Sequence, residues 1–212
     1  MTTPPSPRRT YHHGNLREAL IDAALRLIEE NGVEAVTVRE AAKRAGVSPG
    51  APFRHFPTKR ALMTAVAEQA QERLGREMAA ALATSEGLDP LSRFAATGSA
   101  YLRWATDNPT HFQIISSRPL IDFDGSPGLR DANAAIRDRI TDLLQEAVRQ
   151  GQLPPGTEIG AIRLAGRALV YGLARMAVDG HFPEWGVAGE TADRSMRRAL
   201  DLFIDGIRQG HP

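Results

Sequence analysis

Basic side chains that can bind phosphate oxygens are concentrated between residues 37 and 59. They are Arg39, Lys43, Arg44, Arg54, His55 and Lys59. Residues 1–60 carry 10 Lys and Arg against 6 Asp and Glu, whereas residues 61–212 carry 16 against 19. The chain, whose net charge is only +1, therefore has a basic N-terminal part and a mildly acidic remainder. This asymmetry indicates a polyanionic partner for the N-terminal part.

Helix signals divide this basic segment into two short helices joined by a tight turn. Thr37–Glu40 is a capping box that opens one helix, and Gly46 ends it. Ser48–Pro49 predicts an N-cap and the first residue of the next helix. That helix must end near Phe56, because a residue before proline disfavours helical geometry. The layout predicts a helix-turn-helix, whose second helix enters the major groove of DNA.

Small residues in the same segment fit close approach. Ala42 lies where the two short helices must meet, and Gly50 and Ala51 keep the leading edge of the second helix slim. A slim edge lets the backbone come near base edges, while the surrounding basic residues contact phosphates.

The flanking segments are also helical. Asn15–Glu18 is a capping box followed by apolar residues at helical spacing, and Asn31-Gly32 ends that first helix. Thr58 caps a long fourth helix that runs to the mid-80s. Residues 1–13 are proline-rich and basic without periodicity, so we expect a flexible basic arm.

The remaining chain shows further helices and no alternating strand pattern. Helices are predicted from Asp89-Pro90 to Asn108, over His111–Ser117, from Ser126-Pro127 to Gln150, over Glu158–Asp179 and over Thr191–Arg208. We therefore predict an all-α fold with about nine helices. Its division is an arm over 1–13, a helix-turn-helix domain over 14–58 and an effector-binding and dimerisation domain over 59–212.

Several classes of function are disfavoured by composition and motifs. The chain has no cysteine, which excludes a disulfide scaffold and thiolate chemistry and permits a cytoplasmic location. The adjacent His12 and His13 are poorly spaced to bind one metal ion, and no catalytic motif is present. No apolar run is long enough to cross a membrane. We expect no enzyme activity, no cofactor and no metal.

Three consecutive segments carry a family resemblance: YHHGNLREALIDAALRLIEENG, TVREAAKRAGVS and PGAPFRHFPTKRAL. Together, residues 12–70 resemble the N-terminal domain of TetR-family transcriptional regulators. The resemblance implies that Thr37 caps the second helix near a phosphate and that Lys59 touches phosphate. With Arg39 from the basic set, it implies a DNA-binding surface of Thr37, Arg39, Ser48, Gly50, Ala51, Phe53, Arg54, His55 and Lys59.

Two residues depart from the family pattern. Phe53 stands where Tyr is most frequent, so a phosphate hydrogen bond is missing. Pro52 stands where Leu is common, removes an amide from the first turn and stiffens it. We expect Phe56 to be a core residue packed against the first helix.

From residue 60 onward the chain resembles a subset of TetR regulators that carry a Trp and a His-Gly pair. Trp104 in YLRWATDNPTHFQII fits this pattern, and Tyr171-Gly172 stands where His-Gly is expected. The resemblance implies a small-molecule effector. We expect most of the large side chains of the interior to be core residues, while the polar tips of some of them leave an effector pocket open as an alternative. The candidates are Phe94, Tyr101, Trp104, His111, Phe112, Ile115, Tyr171 and Met176.

The last two helices are the candidate dimer interface. An apolar stripe on the last helix, which we expect a monomer to expose, comprises Met196, Leu200, Phe203, Ile204 and Ile207. Ala165 and Ala168 belong to a run of small residues on the preceding helix. We therefore predict a homodimeric, ligand-responsive repressor that binds a near-palindromic DNA operator. The alternatives are an all-α enzyme of small-molecule metabolism, and a helical adaptor that binds protein only.

Overall fold

A computed structural model describes residues 16–188 and 191–209. Within these ranges the chain forms eight α-helices and no strand. The helices are α1 (Leu16–Asn31), α2 (Val38–Arg44), α3 (Lys59–Thr84), α4 (Pro90–Asp107), α5 (Pro109–Ser116), α6 (Pro127–Arg149), α7 (Ile159–Asp179) and α8 (Ala192–Arg208). The all-α prediction is confirmed. The basic arm over 1–13 and Asn15 of the first capping box lie outside the described residues.

The predicted caps begin the helices as expected. The side chains of Thr37, Thr58, Asp89 and Ser126 each accept a hydrogen bond from the backbone N–H three residues later. Each bond satisfies one of the amides that a helix N-terminus leaves without a partner. Because these signals are local, the sequence places the starts of α2, α3, α4 and α6 correctly.

The predicted second helix of the helix-turn-helix is a 3₁₀ turn over Ala51–Arg54, and this accounts for eight α-helices where about nine were expected. An α-helix starting at Pro49 needs an N–H at residue 52 to bond to the carbonyl of Ser48. Pro52 has none, and Ala51 N donates to Ser48 O instead, at 3.1 Å. The prediction of Ser48 as N-cap is therefore wrong, and the turn begins two residues later.

Two apolar cores meet along α3. The N-terminal core joins α1 and α2 to Phe56 and the first half of α3, and it also includes Ile114, Ile121 and Leu129. The C-terminal core joins the second half of α3 to α4–α8. The buried position of Phe56 is as expected. The segment between α5 and α6 thus packs into the N-terminal core, although it follows the predicted boundary at residue 58 by more than fifty positions.

The apolar stripe on α8 is buried within its own subunit, which contradicts the expectation that a monomer exposes it. Met196, Leu200, Ile204 and Ile207 all belong to the C-terminal core, and Phe203 is half-buried. Leu200 packs onto Gly98 of α4, where a Cβ atom would lie 3.0 Å from a Leu200 methyl carbon. The amphipathic pattern predicted the buried face of α8 correctly, but α4 and α7 of the same subunit cover this face.

Candidate DNA-binding surface and small-molecule sites

The nine residues of the predicted DNA-binding surface are brought together around α2 and the turn that follows it. Seven are exposed, while Ala51 and Lys59 are half-buried. The intervening Pro52 is buried, so the turn is anchored on one side and open on the other. Phe53 is 40% exposed although it is a large apolar residue. An exposed aromatic ring inside a basic surface is suited to contact with a nucleic acid backbone.

The basic groups of this surface differ in how they are held. The guanidinium groups of Arg39 and Arg54 form no hydrogen bond or ion pair with the described residues. By contrast, Lys59 Nζ donates to the carbonyl oxygen of Val33 at 2.7 Å and lies 4.0 Å from Glu34 Oε2. Arg44 forms two hydrogen bonds to the carboxylate of Glu30. Arg39 and Arg54 are thus free for phosphate, whereas Lys59 and Arg44 also link helices of the N-terminal domain.

The eight effector-pocket candidates lie together in the C-terminal part, and five of them are buried. The Phe112 ring lies between Tyr101 and Tyr171, with centroid distances of 6.3 and 5.9 Å. The guanidinium of Arg167 lies 4.8 Å from the Tyr101 ring centroid and 5.2 Å from that of Tyr171. This aromatic cluster is packed against itself, and the prediction that an effector enters it stays a prediction.

Two polar atoms in this cluster lack partners. Tyr101 is 5% exposed and Trp104 is 4% exposed, and neither the Tyr101 hydroxyl nor Trp104 Nε1 has a hydrogen-bond partner among the described residues. Burial raises the pKa of Tyr101, and the positive charge of Arg167, whose guanidinium approaches the hydroxyl without a well-aligned hydrogen bond, partly offsets this effect. Buried polar groups without partners are unusual and destabilising.

Two open clefts lie elsewhere, and sequence reasoning missed both. One, of about 670 Å³, lies between α4, α7, α8 and the Phe182–Trp185 turn. The other, of about 490 Å³, lies between α3, α4 and α6. None of the eight candidates lines either cleft. The one sequence signal of the second cleft is Gly75, a helix-interior glycine on its wall.

Exposed apolar residues on α7 and α8 lie outside the predicted stripe. Leu164 on α7 is 70% exposed and Leu202 on α8 is 57% exposed. Ala165 and Ala168, both predicted for the dimer interface, are also exposed. The subunit's own core thus leaves one large apolar side chain of each helix in water. The sequence predicted α7 and α8 as the interface helices. On α8, however, the exposed apolar residue is Leu202 and not the predicted stripe.

The described parts of the chain hold neither a cluster of metal-binding side chains nor a membrane-spanning helix. Residues 16–188 and 191–209 contain no group of three or more His, Asp or Glu side chains placed to hold a metal ion. None of the helices in these ranges is both long and apolar enough to cross a membrane.

The all-helical fold and the open basic turn define a helix-turn-helix DNA-binding protein. Comparison with family models agrees: the model for bacterial regulatory proteins of the tetR family matches residues 20–66, and the tetracyclin repressor-like C-terminal domain matches residues 94–203. The chain belongs to the TetR family, and it is a ligand-responsive DNA-binding transcriptional regulator.

Individual relatives cover most of the chain. A helix-turn-helix-type transcriptional repressor of Mycobacterium tuberculosis is 27% identical over 199 residues, which are 93% of this chain and 96% of that protein. The nucleoid occlusion factor SlmA of Vibrio cholerae is 30% identical over 143 residues, or 67% of this chain and 71% of SlmA. A solved structure of a Rhodococcus protein of unknown function is 29% identical, with a TM-score of 0.79 over 95% of this chain and all of that one.

Proposed function

We propose that this regulator acts as a homodimeric repressor that binds a near-palindromic operator through the surface around α2 and the Ala51–Arg54 turn. The observation that carries the proposal is the exposed, unpaired state of Arg39 and Arg54 beside the exposed ring of Phe53. Guanidinium groups without internal partners can bind phosphates at no cost to the fold. The repressor of Mycobacterium tuberculosis, similar over 93% of the chain, supports the direction of control.

A short turn in place of a full recognition helix fits shallow contact with the groove. Gly50 and Ala51 place little side-chain bulk in front of the turn, and Gly50 has no neighbour within 4 Å of a Cβ position. Base readout then falls to Ser48 and His55 at the turn, while Thr37, Arg39, Arg54 and Lys59 bind phosphates.

Dimerisation is assigned to α7 and α8 through their exposed residues Leu164, Ala165, Ala168 and Leu202. A two-fold dimer presents two identical turns to half-sites on one face of the duplex. The buried stripe on α8 then holds the helix in place within its own subunit and contributes to the interface indirectly.

The effector is assigned to the aromatic cluster, where Tyr101 and Trp104 offer buried polar atoms without partners. A screen of small molecules by thermal shift identifies ligands. Trp185→Phe then leaves Trp104 as the single tryptophan, and its fluorescence should change when such a ligand is titrated. A stabilising ligand that leaves this fluorescence unchanged binds elsewhere.

Selection of bound sequences from a random DNA pool tests the DNA-binding proposal directly. We expect a palindromic consensus that is lost with Gly50→Leu, because a bulky residue prevents the turn from seating in the groove. The matched control is Ala80→Leu, at an exposed small residue near the C-terminal end of α3 that belongs neither to the DNA-binding surface nor to α7 or α8. Selection of the same consensus by Gly50→Leu, or an unpaired half-site for the wild type, contradicts the proposal.

A further inference from the structure

The cleft between α3, α4 and α6 has the size and the walls of a small-molecule site. Its volume of about 490 Å³ lies in the range of ligand pockets in proteins. The side chains of Met78, Leu82, Ile136 and Ile140 form much of its wall. Gly75 leaves further room, since a Cβ atom there would meet nothing within 4 Å.

Two arginines of this wall, Arg93 and Arg139, have no side-chain hydrogen bond or ion pair with the described residues, and Arg93 is the one with a buried N–H. Arg93 of α4 lines the cleft, and its Nε atom is buried without a hydrogen bond. The guanidinium also forms no ion pair with the described residues, although Glu72 and Glu86 line the same cleft. Arg93 as a whole is half-buried, but an N–H group that is buried without an acceptor destabilises the empty protein. An acceptor supplied by a ligand would remove this penalty.

The chemistry of the walls limits the class of ligand. A guanidinium presents two parallel N–H groups that match the two oxygens of a carboxylate. Glu72 and Glu86 balance the charges of Arg93 and Arg139, so the walls carry no excess positive charge that would favour a dianion such as a phosphate monoester. The apolar walls require an apolar body. We propose that this cleft binds a molecule with one carboxylate and an apolar chain or ring system, and that Arg93 holds the carboxylate.

The site is separate from the aromatic cluster, since none of the cluster's residues lines the cleft. Its walls belong to α3, which begins beside the DNA-binding turn, and to α6, whose first residues pack into the N-terminal core. A ligand between the two helices therefore changes the support of α1 and α2. This effect on operator affinity rests on the proposed function, whereas carboxylate binding itself does not.

Calorimetric titration with decanoate at about pH 7.5, where the carboxylate is ionised, tests the site on the full chain. We expect wild-type protein to bind decanoate and Gly75→Phe to lose binding, because the ring fills the cleft without a clash at Cβ. Gly75→Ala is the matched control and should keep affinity within about twofold. Equal binding by wild type and Gly75→Phe overturns the proposal, as does absence of wild-type binding for carboxylates from hexanoate to tetradecanoate.

The role of Arg93 is tested by ligand charge. Wild-type protein should bind decanoate at least about tenfold more tightly than decan-1-ol. Arg93→Leu should abolish this preference by weakening decanoate binding alone. Arg103→Leu, on the same helix but outside the cleft, should keep the preference. Equal preference in Arg93→Leu, or an equal loss in Arg103→Leu, overturns the assignment of Arg93.

The two proposals fail separately. If decanoate binds as described but the protein selects no DNA sequence, the repressor proposal is wrong and the carboxylate site stands. If a selected operator is bound and the variants at Gly75 and Arg93 leave decanoate binding unchanged, the repressor proposal stands and the cleft is not the site.

Discussion

The hydroxyl of Ser126 donates to Oε1 of Glu68 at 2.8 Å and joins the start of α6 to the middle of α3. The other carboxylate oxygen of Glu68 accepts a hydrogen bond from Arg17 of α1 at 3.1 Å. Ser126 is also the N-cap of α6. One carboxylate thus connects the DNA-binding domain, the long helix α3 and the effector-domain helix α6. Its two hydrogen bonds link the start of α6 to α1 through α3.

Loss of the Ser126 hydroxyl should loosen this connection. Ser126→Ala removes the cap of α6 and the Glu68 bond, so we expect a loss of about 1 kcal/mol and a decrease in Tm of about 2–4 °C. Hydrogen exchange should accelerate over residues 118–129. Ser126→Thr keeps the hydroxyl and should restore both measurements. Unchanged exchange in Ser126→Ala would show that apolar packing of Ile121 and Leu129 alone holds the segment.

Arg39 and Lys59 should separate DNA affinity from stability. Arg39→Ala removes a free guanidinium, so we expect weaker binding to all DNA sequences, a salt slope lower by about one unit and an unchanged Tm. Lys59→Ala should weaken DNA binding and also lower Tm, because the bond from Nζ to the Val33 carbonyl is lost. DNA titration at several salt concentrations, with thermal unfolding, measures both. A salt slope that Arg39→Ala leaves unchanged would remove Arg39 from the phosphate contacts.

A hydroxyl added at residue 53 should strengthen DNA binding. Phe53 is exposed and the ring has space around it, so Phe53→Tyr adds a donor for a charged phosphate worth about 1 kcal/mol, or roughly fivefold in affinity. The gain should be equal for operator and unrelated DNA, since a phosphate carries no base identity. A gain restricted to the operator would place the ring against a base.

The sequence predicted most of the helices because their start signals are local. Thr37, Thr58 and Ser126 act within three residues of themselves, and the periodicity between caps fixes the buried face. The sequence analysis noted Pro52 as unusual but did not predict the 3₁₀ geometry of the Ala51–Arg54 turn. That geometry depends on which carbonyl oxygen each neighbouring amide donates to, and the sequence does not show this. Local capping rules give no weight to a missing donor inside the first turn.

Features that depend on how the helices pack were harder to predict from the sequence. The spacing of Met196, Leu200 and Ile204 shows that α8 has an apolar face, but the same pattern serves the subunit's own core or a partner. Gly98, which lets Leu200 pack closely, carries no periodic signal. The cleft with Arg93 arises from the spacing of three helices that are far apart in sequence, and no local pattern reports that spacing.

The stability of the protein should fall in weak acid because of His111. The His111 ring is buried, and its Nε2 atom lies 3.3 Å from an Nη atom of Arg73. Burial, and next the charge of Arg73, lower the pKa of His111, while Asp22 of α1 acts in the opposite direction. His111 therefore binds a proton more readily in the unfolded chain than in the folded protein. Its effect on the free energy of unfolding is absent above about pH 6.5, where the ring is neutral in both states, and it lowers that free energy at more acidic pH.

The pH profile of thermal unfolding checks this prediction. Between about pH 7.5 and pH 5.5, His111→Gln should show a smaller decrease in Tm than the wild type, because Gln accepts from Arg73 without titrating. His181→Gln, at an exposed histidine in the turn after α7, is the matched control and should follow the wild type. Parallel profiles for wild type and His111→Gln would exclude His111 as the source.

Leu202, rather than the apolar stripe of α8, should control dimerisation. Leu202 is 57% exposed, so Leu202→Glu places a charge in water in the monomer and in an apolar contact in the dimer. We expect a monomer by light scattering, an unchanged helical circular dichroism spectrum and sharply weaker operator binding, since a monomer reaches one half-site at a time. Leu88→Glu, at a residue of equal exposure in the α3–α4 connection, should remain dimeric.

Ile204→Glu changes a residue of the buried stripe and should act differently. Ile204 is 6% exposed, and a buried unpaired carboxylate should unfold the subunit. A dimeric Leu202→Glu protein, or a folded monomeric Ile204→Glu protein, would show that the apolar stripe of α8 forms the dimer interface.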